Sequence, residues 1–186
     1  MTVSIIYGPM FAGKSKTLIC RARKYELKRG KNSLLMIKYS KDTRYLEGEN
    51  IYVVSHDQEI YPALPVNTLG DIPNEDLKQY KKIFVDEGQF FTDLLEFIKR
   101  VRSLGIDLCI SGLNLNHKRE NFGQMHEAME MSDKTIKLQA VCSDCKGNAD
   151  YTRMNSQSET LRDAVIVIGG AELYSPVCES CYTVSL

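Results

Sequence analysis

Gly8-Pro9-Met10-Phe11-Ala12-Gly13-Lys14-Ser15 is the stretch from which the fold of this chain is read. It has the form Gly-x-x-x-x-Gly-Lys-Ser, and its flanks supply the context such a loop needs. Val3 to Tyr7 before it is short, apolar and β-branched, while Leu18, Ala22 and Tyr25 after it recur at helical spacing until Gly30. Strand, turn and helix in that order place the turn at a helix N-terminus. Glycines let the backbone curl so that successive N–H groups converge on phosphate oxygens, and the helix adds the positive end of its dipole. Lys14 supplies a point charge and Ser15 a hydroxyl for a magnesium ion. Residues 8–15 are therefore expected to grip a nucleotide phosphate.

Further along, Leu34 to Ile37, Ile83 to Val85 and Leu108 to Ile110 are continuous apolar runs of strand length. Between the last two, Thr92 or Asp93 is expected to cap a helix whose Leu94, Phe97, Ile98, Val101 and Leu104 share one face before Gly105 ends it. Strands alternating with helices predict an α/β fold: a P-loop parallel β-sheet covered by helices, with ligands at the carboxyl ends of the strands. Residues 39–68 have weaker periodicity and are read as a hairpin or mobile excursion. After Lys134 the texture changes, which divides the chain into an expected nucleotide-binding domain, 1–134, and a small C-terminal zinc-binding lobe, 135–186. A strand-like run, Ile136 to Val141, leads into the first cysteine pair, and Met154 to Arg162 reads as a flexible loop.

The cysteines define that lobe. Cys142-x-x-Cys145 and Cys178-x-x-Cys181 match a closed tetrahedral zinc site, with no histidine or open position to suggest catalysis. Cys20 and Cys109 sit in apolar patterns and are read as core residues. The chain has 186 residues, 24 basic and 24 acidic, so its formal net charge is zero. From Lys137 onward the basic residues Lys137, Lys146, Arg153 and Arg162 face the acidic Asp144, Asp150, Glu159, Asp163, Glu172 and Glu179, a poor footprint for a nucleic-acid backbone. The basic residues from Arg21 to Lys31 read as a solvated helix face. No signal peptide or membrane span is expected, and the location is expected to be cytoplasmic.

Asp86 follows three apolar strand residues and is placed to hold magnesium with Ser15. Glu87, at a strand end where alternation relaxes, can face the same cleft and accept a proton from an attacking hydroxyl or water. An ATPase activating water remains a rival reading of these residues alone.

Several blocks together carry a resemblance. The glycine-rich loop, Lys38-Tyr39-x-x-Asp42-x-Arg44-Tyr45, Asp86-Glu87-Gly88-Gln89-Phe90-Phe91, Gly112-Leu113 with Phe122-Gly123 ten residues on, Ala140-Val141-Cys142-x-x-Cys145, and Ile168-Gly169-Gly170 before Cys178-x-x-Cys181 resemble, in order and end to end, the zinc-containing cytosolic thymidine kinases (type II). The resemblance implies transfer of the γ-phosphate of ATP to the 5′-hydroxyl of deoxythymidine, with deoxyuridine as a second acceptor, Mg2+ accompanying ATP, structural Zn2+, a homotetramer, and dTTP as feedback inhibitor. It implies Glu87 as general base and an ATP site made by Gly8, Pro9, Met10, Phe11, Ala12, Gly13, Lys14, Ser15, Asp86, Glu87, Gly88 and Gln89. Asp42 and Arg44, which composition alone reads as solvated loop charges, are by resemblance drawn to the phosphate and its metal shell. A lasso loop from the zinc lobe is implied to enclose the base, walled by Met10, Phe90, Leu113, Phe122, Thr152, Val165 and Tyr174. For Leu113 and Val165 the residues alone fit plain core packing equally well. Two positions depart from the family pattern: Asn114 stands where relatives usually carry Asp, and His117 where they carry an aromatic residue.

Overall fold

The structure, a computed structural model, describes residues 1–30, 32–42, 51–155 and 169–183. In chain order it runs β1 (Val3–Tyr7), α1 (Lys14–Arg29), β2 (Leu34–Tyr39), β3 (Tyr52–Val54), β4 (Ile60–Pro62), β5 (Leu64–Val66), α2 (Asn74–Leu77), β6 (Lys82–Val85), α3 (Leu94–Ser103), β7 (Asp107–Gly112), α4 (Met125–Glu130) and β8 (Lys134–Lys137). A small lobe follows: β9 (Ala140–Val141), β10 (Asn148–Ala149), β11 (Tyr151–Met154), β12 (Tyr174–Val177) and α5 (Glu179–Thr183).

Six of the described strands form one parallel sheet in the order β5-β2-β6-β7-β1-β8. Its strands alternate their side chains between two apolar layers. Ile5, Ile37, Ile83, Val85, Leu108 and Ile110 face the layer that holds Leu94, Phe97 and Ile98 of α3 and Met125 of α4. Ile6, Met36, Phe84 and Cys109 face the opposite layer, with Leu18, Ile19 and Ala22 of α1. Burial on both faces is why these strands read as unbroken apolar runs. The expected parallel α/β sheet covered on both faces is the observed one.

Local differences have local causes. Cys109 is fully buried as expected, but Cys20 is exposed. The buried stripe of α1 runs through Leu18, Ile19 and Ala22, and Cys20 lies about 160° around the helix from it. Helix α3 ends as expected, at Gly105 with φ 71°. The N–H of Ile106 returns to the carbonyl of Val101 and that of Gly105 to Arg102, the paired bonds of a Schellman stop. Its start differs: the Asp93 carboxylate accepts the N–H of Gly70 at 2.6 Å instead of capping, and the Gln124 side chain takes the N–H of Leu95 at 3.1 Å. The 39–68 excursion contains the antiparallel hairpin β3–β4 and the edge strand β5. The sequence hides β5 because it is three residues long and centred on Pro65, which only an edge accommodates. The run Ile136 to Val141 divides: β8 joins β1 in the main sheet, while β9 pairs with β10 in the lobe. Met154, expected in a loop, closes β11 opposite Tyr174. Among the described residues no helix is long and apolar enough to cross a membrane.

Candidate active site

Parallel strands bring their carboxyl ends to one edge of the sheet, and the chemistry collects there. The loop after β1 meets Lys38 and Asp42 at the end of β2, Asp86 and Glu87 at the end of β6, and Ser111 near the end of β7. Met10, Phe11, Gly13, Lys14, Ser15, Lys38, Asp42, Asp86, Glu87 and Leu113 line a single cleft of about 160 Å³. Its remaining wall is the β3–β4 hairpin, Val53 to Asp57, tied down by a 2.5 Å ion pair between Asp57 and Lys16 and an edge contact of His56 on Phe11. The hairpin wall has no signature in the sequence beyond its polar turn.

The loop is shaped to leave donors open. Phe11 at φ 62° and Gly13 at φ 77° turn the backbone back on itself, and α1 begins with neither a side-chain cap nor an acidic residue in its first turn. Its leading N–H groups are thereby left for an anion. Gly8 permits close approach, since a Cβ there would fall 2.2 Å from the Leu138 carbonyl oxygen. The buried ammonium of Lys14 donates to the Pro9 carbonyl at 2.6 Å, which holds it across the loop.

Ser15 Oγ donates to Asp86 Oδ1 at 3.2 Å, and Ser111 Oγ donates to the same oxygen. The Ser15–Asp86 spacing is close to the ~2.9 Å between neighbouring oxygens around an octahedral magnesium ion. Burial, with the negative charge of Glu87 beside it, pushes the Asp86 carboxyl up to about 6. Glu87 reaches the same cleft because its backbone is left-handed, φ 55° and ψ 47°, a conformation costing a β-carbon residue about 1 to 3 kcal/mol. Gly88 then has to be glycine: a Cβ would lie 2.6 Å from Ile110 Cγ2. Gln89 is 3% exposed and lies behind the cleft, donating from Nε2 to Glu87 Oε2 at 2.6 Å and accepting the Leu113 N–H on Oε1 at 2.9 Å.

Beside the cleft is an apolar cluster of Met10, Leu113, Phe122 and Tyr174, with Phe11, Phe90, Met154 and Leu173 packed against it. Phe90 stacks on Tyr39 with ring centres 5.3 Å apart and meets Phe122 edge-on at 5.7 Å. Thr152 Oγ1 accepts the N–H of Met10 at 3.0 Å, which fastens β11 to the phosphate loop. The His117 ring is half-buried and lies 6.2 Å from that of Tyr174. Its carbonyl accepts the Tyr182 hydroxyl at 2.8 Å, and the guanidinium of neighbouring Arg119 stacks 4.1 Å over Tyr151 while pairing with Glu179. Arg44 and Val165 lie outside the described residues.

The four cysteines converge. All four Sγ atoms lie within 4.8 Å of one another, and those of Cys145 and Cys178 are 3.6 Å apart. Tetrahedral metal–sulfur bonds of about 2.3 Å require sulfurs about 3.8 Å apart, so the donor set fits a metal ion. Backbone N–H groups, those of Cys145 foremost, pull the Cys142 thiol down to about 6 and favour the thiolate that a metal needs. Arg153 forks onto Asp144 at 2.8 and 3.1 Å beside these sulfurs. Ala12 of the phosphate loop packs against the cysteine cluster. The Asn155 amide, just after β11, donates to the carbonyls of Ala171 and Glu172.

Sequence reading missed Ser111, Asn155 and the clamp made by Gln89. Ser111 carried a usable signal, a polar residue at the tip of an apolar central strand. Asn155 did not, since its partners are main-chain carbonyls.

A family model described as thymidine kinase matches residues 1–182. The chain is similar to "Thymidine kinase, cytosolic" of Gallus gallus, 36% identical over 181 residues, 97% of this chain and 76% of the relative. It is 37% identical to the Homo sapiens protein of the same description over 181 residues, 97% and 72% of the two chains. With the thymidine kinase of Yaba monkey tumor virus it shares 37% over 180 residues, 97% and 93%.

Proposed function

The chain belongs to the thymidine kinase family, and from that premise we propose that it transfers the γ-phosphate of ATP to the 5′-hydroxyl of deoxythymidine, giving dTMP for nucleotide salvage. The observation that carries this reading is a shared wall. Met10 and Leu113 belong both to the cleft holding Lys14, Ser15, Asp86 and Glu87 and to the apolar cluster of Phe122 and Tyr174. A flat base in the cluster would leave its sugar alcohol beside Glu87, with a triphosphate lying along the glycine-rich loop.

Each group then has a task. The loop amides and Lys14 bind and orient the β- and γ-phosphates, and Asp42 with Arg44 completes the charged shell. Ser15 and Asp86 would hold magnesium, which neutralises phosphate charge when bound. Glu87 takes the proton of the 5′-hydroxyl as the oxygen attacks phosphorus. Phosphoryl transfer has a loose transition state, so positioning and charge neutralisation do most of the work and the base completes it. Met10, Phe90, Leu113, Phe122, Thr152, Val165 and Tyr174 wall the base. Zinc on Cys142, Cys145, Cys178 and Cys181 staples the lobe, so that the work divides between a triphosphate-binding part, 1–134, and a nucleoside-closing part, 135–186. Assembly as a homotetramer, feedback by dTTP and a cytoplasmic location complete the reading, tested by light scattering, inhibition assays and fractionation.

Asn114 and His117 bear on acceptor choice. A wall with an imidazole in place of an aromatic hydrocarbon discriminates less against loss of a methyl group, a difference of about 1 to 3 kcal/mol at most. Labelled γ-phosphate offered to thymidine, deoxyuridine, deoxycytidine and water in parallel tests the reading. Transfer to thymidine first and deoxyuridine close behind is expected; release to water alone would favour an ATPase.

A further inference from the structure

Gln89 lies on neither the phosphate cleft nor the apolar cluster, yet its buried side chain touches both. The orientation of its amide follows from chemistry. The backbone N–H of Leu113 can only donate, so the atom 2.9 Å from it is the oxygen, which turns Nε2 toward the carboxylate of Glu87, 2.6 Å away. The main chain around this amide is equally fixed. A Cβ on Gly112 would lie 2.6 Å from Gln89 Oε1, and one on Gly123 would lie 2.2 Å from the Gln89 carbonyl oxygen. Two glycine-lined approaches thus press β7 and the loop after it onto Gln89. Glu87 itself sits on a left-handed residue at a strand end, where three side-chain torsions separate its carboxylate from the backbone.

We propose that Gln89 is a positioning residue for Glu87: its amide, anchored on the Leu113 N–H, holds the Glu87 carboxylate through Oε2 and fixes the direction in which it meets the acceptor hydroxyl. Leu113 lines the apolar cluster as well as the cleft. Any movement of that wall when a nucleoside enters is carried through one amide to the group that takes the proton. This inference rests on Glu87 being the base, and it moves Gln89 from contact with ATP to support of the carboxylate.

The test is a double-mutant cycle on the metal-replete protein. Gln89→Met keeps the length and removes both hydrogen bonds; kcat is expected to fall about 10- to 100-fold, with KM for ATP and thymidine within about threefold of the parent. In a Glu87→Gln background the same change is expected to cost less than about twofold, because a residue acting only through Glu87 has nothing left to position. Gln89→Glu keeps the acceptor for Leu113 while setting a second carboxyl against Glu87, and is expected to lose kcat at least as strongly and to move the acid limb of its pH–rate profile upward. Costs that multiply in the double mutant, or a Gln89→Met enzyme with parental kcat beside an impaired Glu87→Gln enzyme, would overturn the clamp alone. Full kcat in Glu87→Gln itself would overturn both the clamp and the base assignment on which it rests.

Discussion

The phosphate-loop core and the cysteine lobe are held together by different physics. The core buries whole side chains on both faces of a parallel sheet, among them Phe84, Ile5, Ile6, Leu18 and Leu94 at full burial. Among the described residues of the lobe, the buried cluster around the cysteines is small, Ala140, Cys142, Ala149 and Val177, and the sheets are two-stranded pairs, which are marginal without outside support. A core of that size stands by burial alone. The lobe depends on its sulfurs, on side-chain bonds such as Arg153–Asp144, and on its contacts with the loop of the core. The two parts that a phosphate donor and its acceptor would occupy are therefore expected to fail under different perturbations.

The largest expected separation comes from the metal site. Cys142→Ser, or chelation, removes a binding free energy of about 10 to 16 kcal/mol in comparable zinc sites. Thymidine affinity is expected to drop at least about 100-fold while ATP binding stays within about threefold. Calorimetry with each ligand checks it, and unchanged thymidine affinity in metal-free protein would break the comparison. The reverse perturbation is Lys14→Met, expected to slow transfer about 10²- to 10³-fold while thymidine binding measured directly remains intact.

A smaller effect concerns stability of the core. The Asp86 carboxyl titrates at about 6 in the fold against 3.8 ordinarily. Between those values the folded protein holds a proton that the unfolded chain has released, so stability falls as pH rises through this window and the cost is complete above it. Asp86→Asn removes the charge: the ligand-free protein is expected to gain up to about 3 kcal/mol at pH 8 and less than about 1 kcal/mol at pH 4, with transfer lost. A denaturant midpoint that is the same at both pH values for variant and parent would contradict this. The smallest effect links the two regions. Thr152→Val takes the acceptor from the buried Met10 N–H and is expected to cost about 1 kcal/mol, read as an earlier midpoint in a denaturant melt.

The same contrast decides how much could be read beforehand. The core was legible because burial on both faces writes itself as apolar runs: Val3–Tyr7, Leu34–Ile37, Ile83–Val85 and Leu108–Ile110 all became strands of the sheet. The glycine-rich loop, Asp86 and the cysteine pairs were legible because phosphate and metal chemistry restrict residue type at fixed spacing. Edge strand β5 was not, since three residues around Pro65 carry no period. Side chains bonding to main chain also left no trace: Gln124 on Leu95, Asn155 on Ala171 and Gln89 on Leu113 read as ordinary polar residues. The left-handed backbone of Glu87 was invisible too, although the strand end that permits it was not.

The most direct test is a single-turnover experiment in which parent and Glu87→Gln proteins, loaded with zinc and with magnesium and γ-labelled ATP, are mixed with thymidine and quenched over time. Label should move to the 5′-position of thymidine in the parent and about 10²- to 10⁴-fold more slowly in the variant, with ATP binding equal in both. Label that remains on ATP or passes only to water in the parent, or equal transfer rates in the two proteins, would contradict the assignment of the cleft.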